Sequence, residues 1–169
     1  MSSFSGWAVV DLKDGRDAEE FVKVLDEVVE GARAVLVEGR RVFVYADFEP
    51  LLYSEIATLM PEWGNRAVTA GDFDEYGVVN EVLGPDGTAV HTASIDEEGG
   101  ALPHNDTPEA RRAAARLFDV DAGALDEVSA TWAAEGAMPS VLGEPYLRWW
   151  RALGVPWPDD FGQRAVERG

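Results

Sequence analysis

Residues 34–46 read AVLVEGRRVFVYA. Two runs rich in β-branched and aromatic side chains, Ala34–Val37 and Val42–Ala46, flank the turn Glu38-Gly39-Arg40-Arg41, the composition of paired strands. So short a turn makes the pair antiparallel. Upstream, Asp17 is placed to cap a helix and Glu20, three residues on, to reach back to it. Phe21, Val24, Leu25, Val28 and Val29 then recur at helical spacing until Gly31 ends the run. Before that helix, Trp7–Leu12 is an apolar strand closed by the turn Lys13-Asp14-Gly15-Arg16. Downstream, a helix starts near Pro50, turns Leu52, Ile56, Leu59 and Met60 inward, and stops at Pro61. An extended stretch, Arg66–Ala70, follows. The resulting order, β-α-β-β-α-β, is the split βαβ arrangement of ferredoxin-like sheets.

A β-hairpin comes next. Tyr76–Leu83 and Thr88–Ile95 flank Gly84-Pro85-Asp86-Gly87, a β-turn sequence. If Gly84 lies opposite Gly87, Asn80 faces His91, Val82 faces Ala89, Val78 faces Ala93 and Tyr76 faces Ile95. One face is then mainly apolar; the other, with Val79, Glu81, Leu83, Thr88, Val90 and Thr92, is mixed. Beyond Asp106 the pattern is helical. Thr107-Pro108-Glu109 is an N-cap, an N1 proline and an acidic first turn, with Ala110, Ala113, Ala114, Leu117 and Phe118 inward. Asp121 starts a second helix that buries Leu125, Val128 and Trp132. A third begins near Gly143, and Gly154, Pro156 and Pro158 end regular structure. The expected fold class is α+β: an antiparallel or mixed sheet with the β-α-β-β-α-β start, the hairpin, and a C-terminal layer of about three helices. A length of 169 residues without a Gly/Ser-rich or proline-rich linker suits a single domain over 1–169, in which a sheet-containing region (1–106) and a helical region (107–169) pack together.

The chain carries 32 acidic and 14 basic side chains, a formal charge of −18. That excess repels phosphate backbones and anionic headgroups, so the expected partners include neither nucleic acid nor membrane. A hydrophobic content of 46% with six Trp and seven Phe makes this the acidity of a folded protein rather than of a disordered tail. Twelve of the basic residues are Arg and two are Lys, which points to a high-GC bacterial genome. The absence of cysteine excludes disulfides, thiolate nucleophiles and zinc–thiolate sites. No signal peptide and no long apolar segment is legible, and the expected location is cytoplasmic.

Residues 61–106 hold ten acidic side chains and one basic, half of the net charge in 46 residues. Asp72, Asp74 and Glu75 enter the hairpin where Asp96, Glu97 and Glu98 leave it, which predicts an acidic docking edge. Such an edge is read either as solvated charge or as a face that attracts a basic protein. The acids follow no metal-binding spacing, so neither metal nor cofactor is expected. Tyr146, Trp149, Trp150 and Trp157 are candidate pocket or interface aromatics, because Trp149 and Trp150 lie about 100° apart on a helix and cannot share one narrow stripe. The alternative is that they seal the helical layer against the sheet. With two histidines and no nucleophile elbow or phosphate loop, enzyme chemistry would rest on His91 or on His104 with Asp106 nearby. The leading expectation is an acidic interaction protein that binds and neutralises or regulates a basic protein, as an immunity protein or antitoxin does. A small-molecule-binding protein or enzyme with a pocket between sheet and C-terminal helices is the second reading, and an assembly protein the third.

Overall fold

The computed structural model describes residues 4–31, 33–73, 76–96, 102–135 and 144–169. In chain order the elements are β1 (Phe4–Leu12), α1 (Ala18–Val28), β2 (Arg33–Glu38), β3 (Arg41–Asp47), α2 (Leu52–Trp63), β4 (Gly64–Phe73), β5 (Gly77–Leu83), β6 (Ala89–Asp96), α3 (Pro108–Phe118), α4 (Ala122–Glu135), α5 (Glu144–Ala152), α6 (Phe161–Arg164) and β7 (Val166–Arg168). The described strands form one sheet in the order β6-β5-β4-β1-β3-β2-β7, every neighbouring pair antiparallel. The α+β expectation holds, and the inner order β4-β1-β3-β2 is the pairing of the split βαβ unit.

Strand β1 sits at the centre with helices on both faces, which explains why Trp7–Leu12 reads as continuously apolar instead of alternating. Ala8, Val10 and Leu12 turn towards α1 and α2, where Phe21, Leu25, Leu52, Ile56 and Met60 complete one core. Trp7 and Val9 turn the other way, with Val68, Val78, Val82 and Ala93, into a core closed by Phe118, Leu125, Trp132, Tyr146, Trp149 and Trp150. Asp17 caps α1 as its sequence indicates, accepting the Glu19 N–H at 3.0 Å, without a return bond from Glu20, and Thr107 caps α3 by accepting from Ala110 N at 3.1 Å.

Three local readings are corrected. Pro61 lies inside α2, near its end, and the helix continues to Trp63. In the hairpin Asn80 pairs with Ala93 and His91 with Val82, two residues from the expected register, and a bulge follows at Leu83 opposite Ala89. The cause is Gly87, whose positive φ of 83° follows the Gly84–Gly87 turn and adds a residue to the loop, so Gly84 pairs with Thr88. A shift of two keeps side-chain parity, so Val78, Asn80, Val82, His91, Ala93 and Ile95 still share a face. Ala89, past the bulge, packs instead with the α2 core.

The third correction concerns the end of the chain. Residues after the prolines at 156 and 158 form α6 and then β7, which pairs with β2. A three-residue strand has little to hold it but its partners, and Asp26 of α1 supplies them by accepting from Arg168 of β7 and Arg33 of β2. The bonds from Arg168, then those from Arg33, hold the Asp26 carboxyl down at about 2 against the opposing effect of burial. An unfolded aspartate titrates near about 3.9. A folded pKa below the unfolded one gives stability that is complete above about pH 4 and is lost as pH falls through the folded value. The stability difference between wild type and Asp26→Asn should therefore be largest above pH 4 and shrink towards about pH 2. Urea unfolding at a series of acidic pH values measures it; a difference that does not change across that window would contradict the clamp.

Candidate functional site

At one end of the sheet β1 and β5 begin and β3, β4 and β6 finish. Gly6 of β1 pairs there with Gly71 of β4. A Cβ on Gly6 would lie 2.1 Å from the Glu49 carbonyl oxygen, and one on Gly71 would lie 2.5 Å from that of Pro50. These two glycines therefore let the segment between β3 and α2 lie flat on the sheet. Phe48 N–H donates to the Phe4 carbonyl at 2.8 Å, and the residue is held at φ +60°. Left-handed backbone costs an L-residue about 1–2 kcal/mol, yet Phe48 is 77% exposed and so recovers little by burial. Leu51 and Tyr76 are also exposed, and Tyr76 stacks on Phe4 at 6.4 Å. Asp47 and Glu49 flank Phe48, the first exposed and the second half-buried. The opposite end of the central strands carries Arg41, Arg66, Arg40 and Lys13, with Asp11 paired to Arg41 and Arg66.

Of the six acids expected on the docking edge, Asp74, Glu75, Glu97 and Glu98 lie outside the described residues. Asp72 does not belong to that surface. Strand β4 runs on to Phe73, and alternation from Val68 and Ala70 turns Asp72 to the face that the C-terminal helices cover, where it is 3% exposed. Its charge is felt there by Tyr45 and Tyr146, whose phenols burial raises first and Asp72 raises further. Asp96 is half-buried and accepts the Leu102 N–H at 2.8 Å. The described acids that do frame the exposed apolar end are Asp47 and Glu49. Sequence reasoning passed over them, although an aromatic between two acids ahead of a proline, Asp47-Phe48-Glu49-Pro50, was the signal.

The aromatic candidates divide. Tyr146, Trp149 and Trp150 are fully buried. Trp150 donates to Asn80 Oδ1 of β5 at 2.7 Å, whereas Trp149 packs on His91 at 4.7 Å and on Trp132 of α4 at 5.8 Å. Helix α5 lies in the corner between sheet and α4, so two residues 100° apart are both inside, Trp150 against β5 and Trp149 between β6 and α4. They seal the layer. Trp157 is half-buried and, with Trp7, Tyr45 and Phe161, lines a cleft of about 310 Å³.

The histidines also separate. His91, 1% exposed, meets Asp106 at 2.9 Å through Nε2. Asp106 accepts in addition from Arg111 at 2.8 Å and from Ser129 at 2.5 Å, and Arg111 reaches Asp126 at 2.6 Å. Burial alone would raise the Asp106 pKa; the bonds from His91, Ser129 and Arg111 outweigh it and hold the carboxyl well below the usual carboxylate range. This buried network ties β6 to α3 and α4 and offers no surface to a substrate. His104 is exposed, and its Nδ1 accepts the Ser94 N–H at 3.1 Å, so Asp106 orients His91 and not its sequence neighbour His104.

Among the described residues no cluster of three or more His, Asp or Glu is placed to hold a metal ion, and no helix is long and apolar enough to cross a membrane. Comparison of the chain with protein-family models, with curated proteins and with solved structures finds no match.

Proposed function

We propose that this protein is a cytoplasmic interaction protein that docks a basic protein partner through the Phe48 end of its sheet, neutralising or regulating it as an immunity protein or an antitoxin does. The observation that supports this best is Phe48 itself, a large aromatic kept exposed in a backbone conformation that disfavours it. Exposed aromatics ringed by polar groups are the usual anchors of protein interfaces. Asp47 and Glu49 beside it, on a chain of charge −18, favour a cationic surface and speed its approach. The analogy to immunity proteins and antitoxins draws on acidity and size.

The test is capture from lysate at low and high salt by wild type, Phe48→Asn and the double variant Asp47→Lys/Glu49→Lys. Asparagine tolerates the left-handed region, so Phe48→Asn should match wild-type stability or exceed it by up to about 1 kcal/mol while losing the partner. The lysine variant should slow association more than dissociation. Recovery of no salt-sensitive basic partner, or unchanged capture by Phe48→Asn, would overturn the proposal.

A further inference from the structure

The α3–α5 layer leaves the β3-β2-β7 side of the sheet to the segment after α5, and a cleft remains there. Trp7 and Tyr45 stand nearly perpendicular, 5.0 Å apart at 81°. Trp157 meets Trp7 at 4.9 Å and 65° and Phe161 at 4.4 Å and 44°. The rings pack edge-to-face or tilted against one another, and their outer surfaces, with Ala34 and Ala165, line a cleft that is mostly carbon. Glu167 borders the cleft, whereas Asp47, which accepts the Tyr45 hydroxyl at 2.6 Å, borders only the adjoining space. Arg33 and Arg168 border the adjoining space, but both guanidinium groups are engaged by Asp26.

We infer that the cleft between Trp7, Tyr45 and Trp157 binds a quaternary ammonium group, carried by a small molecule or by a methylated lysine. Aromatic faces attract a cation through their quadrupole. A nitrogen bearing methyl groups in place of N–H loses little on leaving water for walls that have few acceptors, whereas a primary ammonium would leave its donors unmet. The Glu167 carboxylate at the rim sets the sign. This binding is independent of the docking proposal, since it needs Trp157 and Glu167 and makes no use of Phe48.

Tryptophan fluorescence of the intact protein, titrated with choline, with its uncharged isostere 3,3-dimethylbutanol and with a trimethyllysine peptide, tests it. Choline or the peptide should bind saturably and at least about tenfold more tightly than the neutral isostere. The tighter of the two identifies whether the group arrives free or on a protein chain. Glu167→Gln, at an exposed position, should weaken cation binding severalfold without affecting the isostere, and Trp157→Leu should abolish it. Absence of saturable binding by both cations, or equal affinity for choline and its isostere, would overturn the assignment.

Discussion

Trp150→Ala is expected to lower the unfolding free energy by about 4 kcal/mol or more. Truncating a buried tryptophan costs about 3–5 kcal/mol through lost transfer energy and the cavity left behind. Trp150 is fully buried among Trp157 and the sheet, and α5 is pinned by Tyr146 and Trp149 on the same inner surface, so the site has little freedom to collapse. The indole also donates to Asn80, whose Nδ2 has no partner within the described structure. Its loss strands the whole carboxamide between β5 and α5, adding about 1–3 kcal/mol that overlaps in part with the cavity cost. For a chain of this length each kcal/mol moves Tm by about 2–4 °C, so a fall of about 8–16 °C is expected. Trp150→Phe keeps most of the volume and should show chiefly the smaller hydrogen-bond cost. A Trp150→Ala protein within about 1 kcal/mol of wild type would mean that α5 does not seal the core.

Asp106→Ala is the second large effect. Removing one partner of a buried charge network costs about 3–5 kcal/mol, because the others are left desolvated. Here the stranded groups are His91 Nε2, the Arg111 guanidinium and the Ser129 hydroxyl. Arg111 keeps Asp126, but that carboxylate is more than half exposed and screened by solvent. Asp126→Ala is therefore the matched control and should cost no more than about 1 kcal/mol. Equal losses for the two variants in urea unfolding would show that the network is not what joins β6 to α3 and α4. The sign with pH is set by the depressed Asp106 pKa: its stabilisation is complete above the ordinary carboxylate range and fades on acidification, as for Asp26, so wild type should lose stability steeply below about pH 4.

How much of this is legible in the sequence depends on how local the cause is. Capped helices such as α1 and α3, and strands such as β2 and β3, are specified by neighbours within a few residues, and they stand where periodicity places them. The hairpin's faces follow from parity alone, whereas its register turns on whether Gly87 takes a left-handed conformation. Strand β7 is hidden because Val166-Glu167-Arg168 becomes a strand only through β2 and the Arg168–Asp26 pair, 142 residues apart in the chain. Asp72 is misplaced for a related reason: the extended stretch legible in the sequence stops at Ala70, and two more residues of alternation turn its carboxylate inward. The adjacency of Trp149 and Trp150 argues for an exposed aromatic only if α5 lies against one wall instead of two. Phe48 is the least legible, since its exposure depends on Gly6 and Gly71, brought together across β1 and β4, admitting the backbone of Glu49 and Pro50.

The docking reading rests on that end of the sheet, and a photo-crosslinking amino acid placed at position 48, with position 40 at the opposite end as control, interrogates it whatever the partner's identity. Irradiated in cells of the source organism, the position-48 protein is expected to form one dominant adduct with a protein of high isoelectric point. Position 40 should not form it, and Asp47→Lys/Glu49→Lys should diminish it. No adduct from position 48, or the same adducts from both positions, would contradict the account.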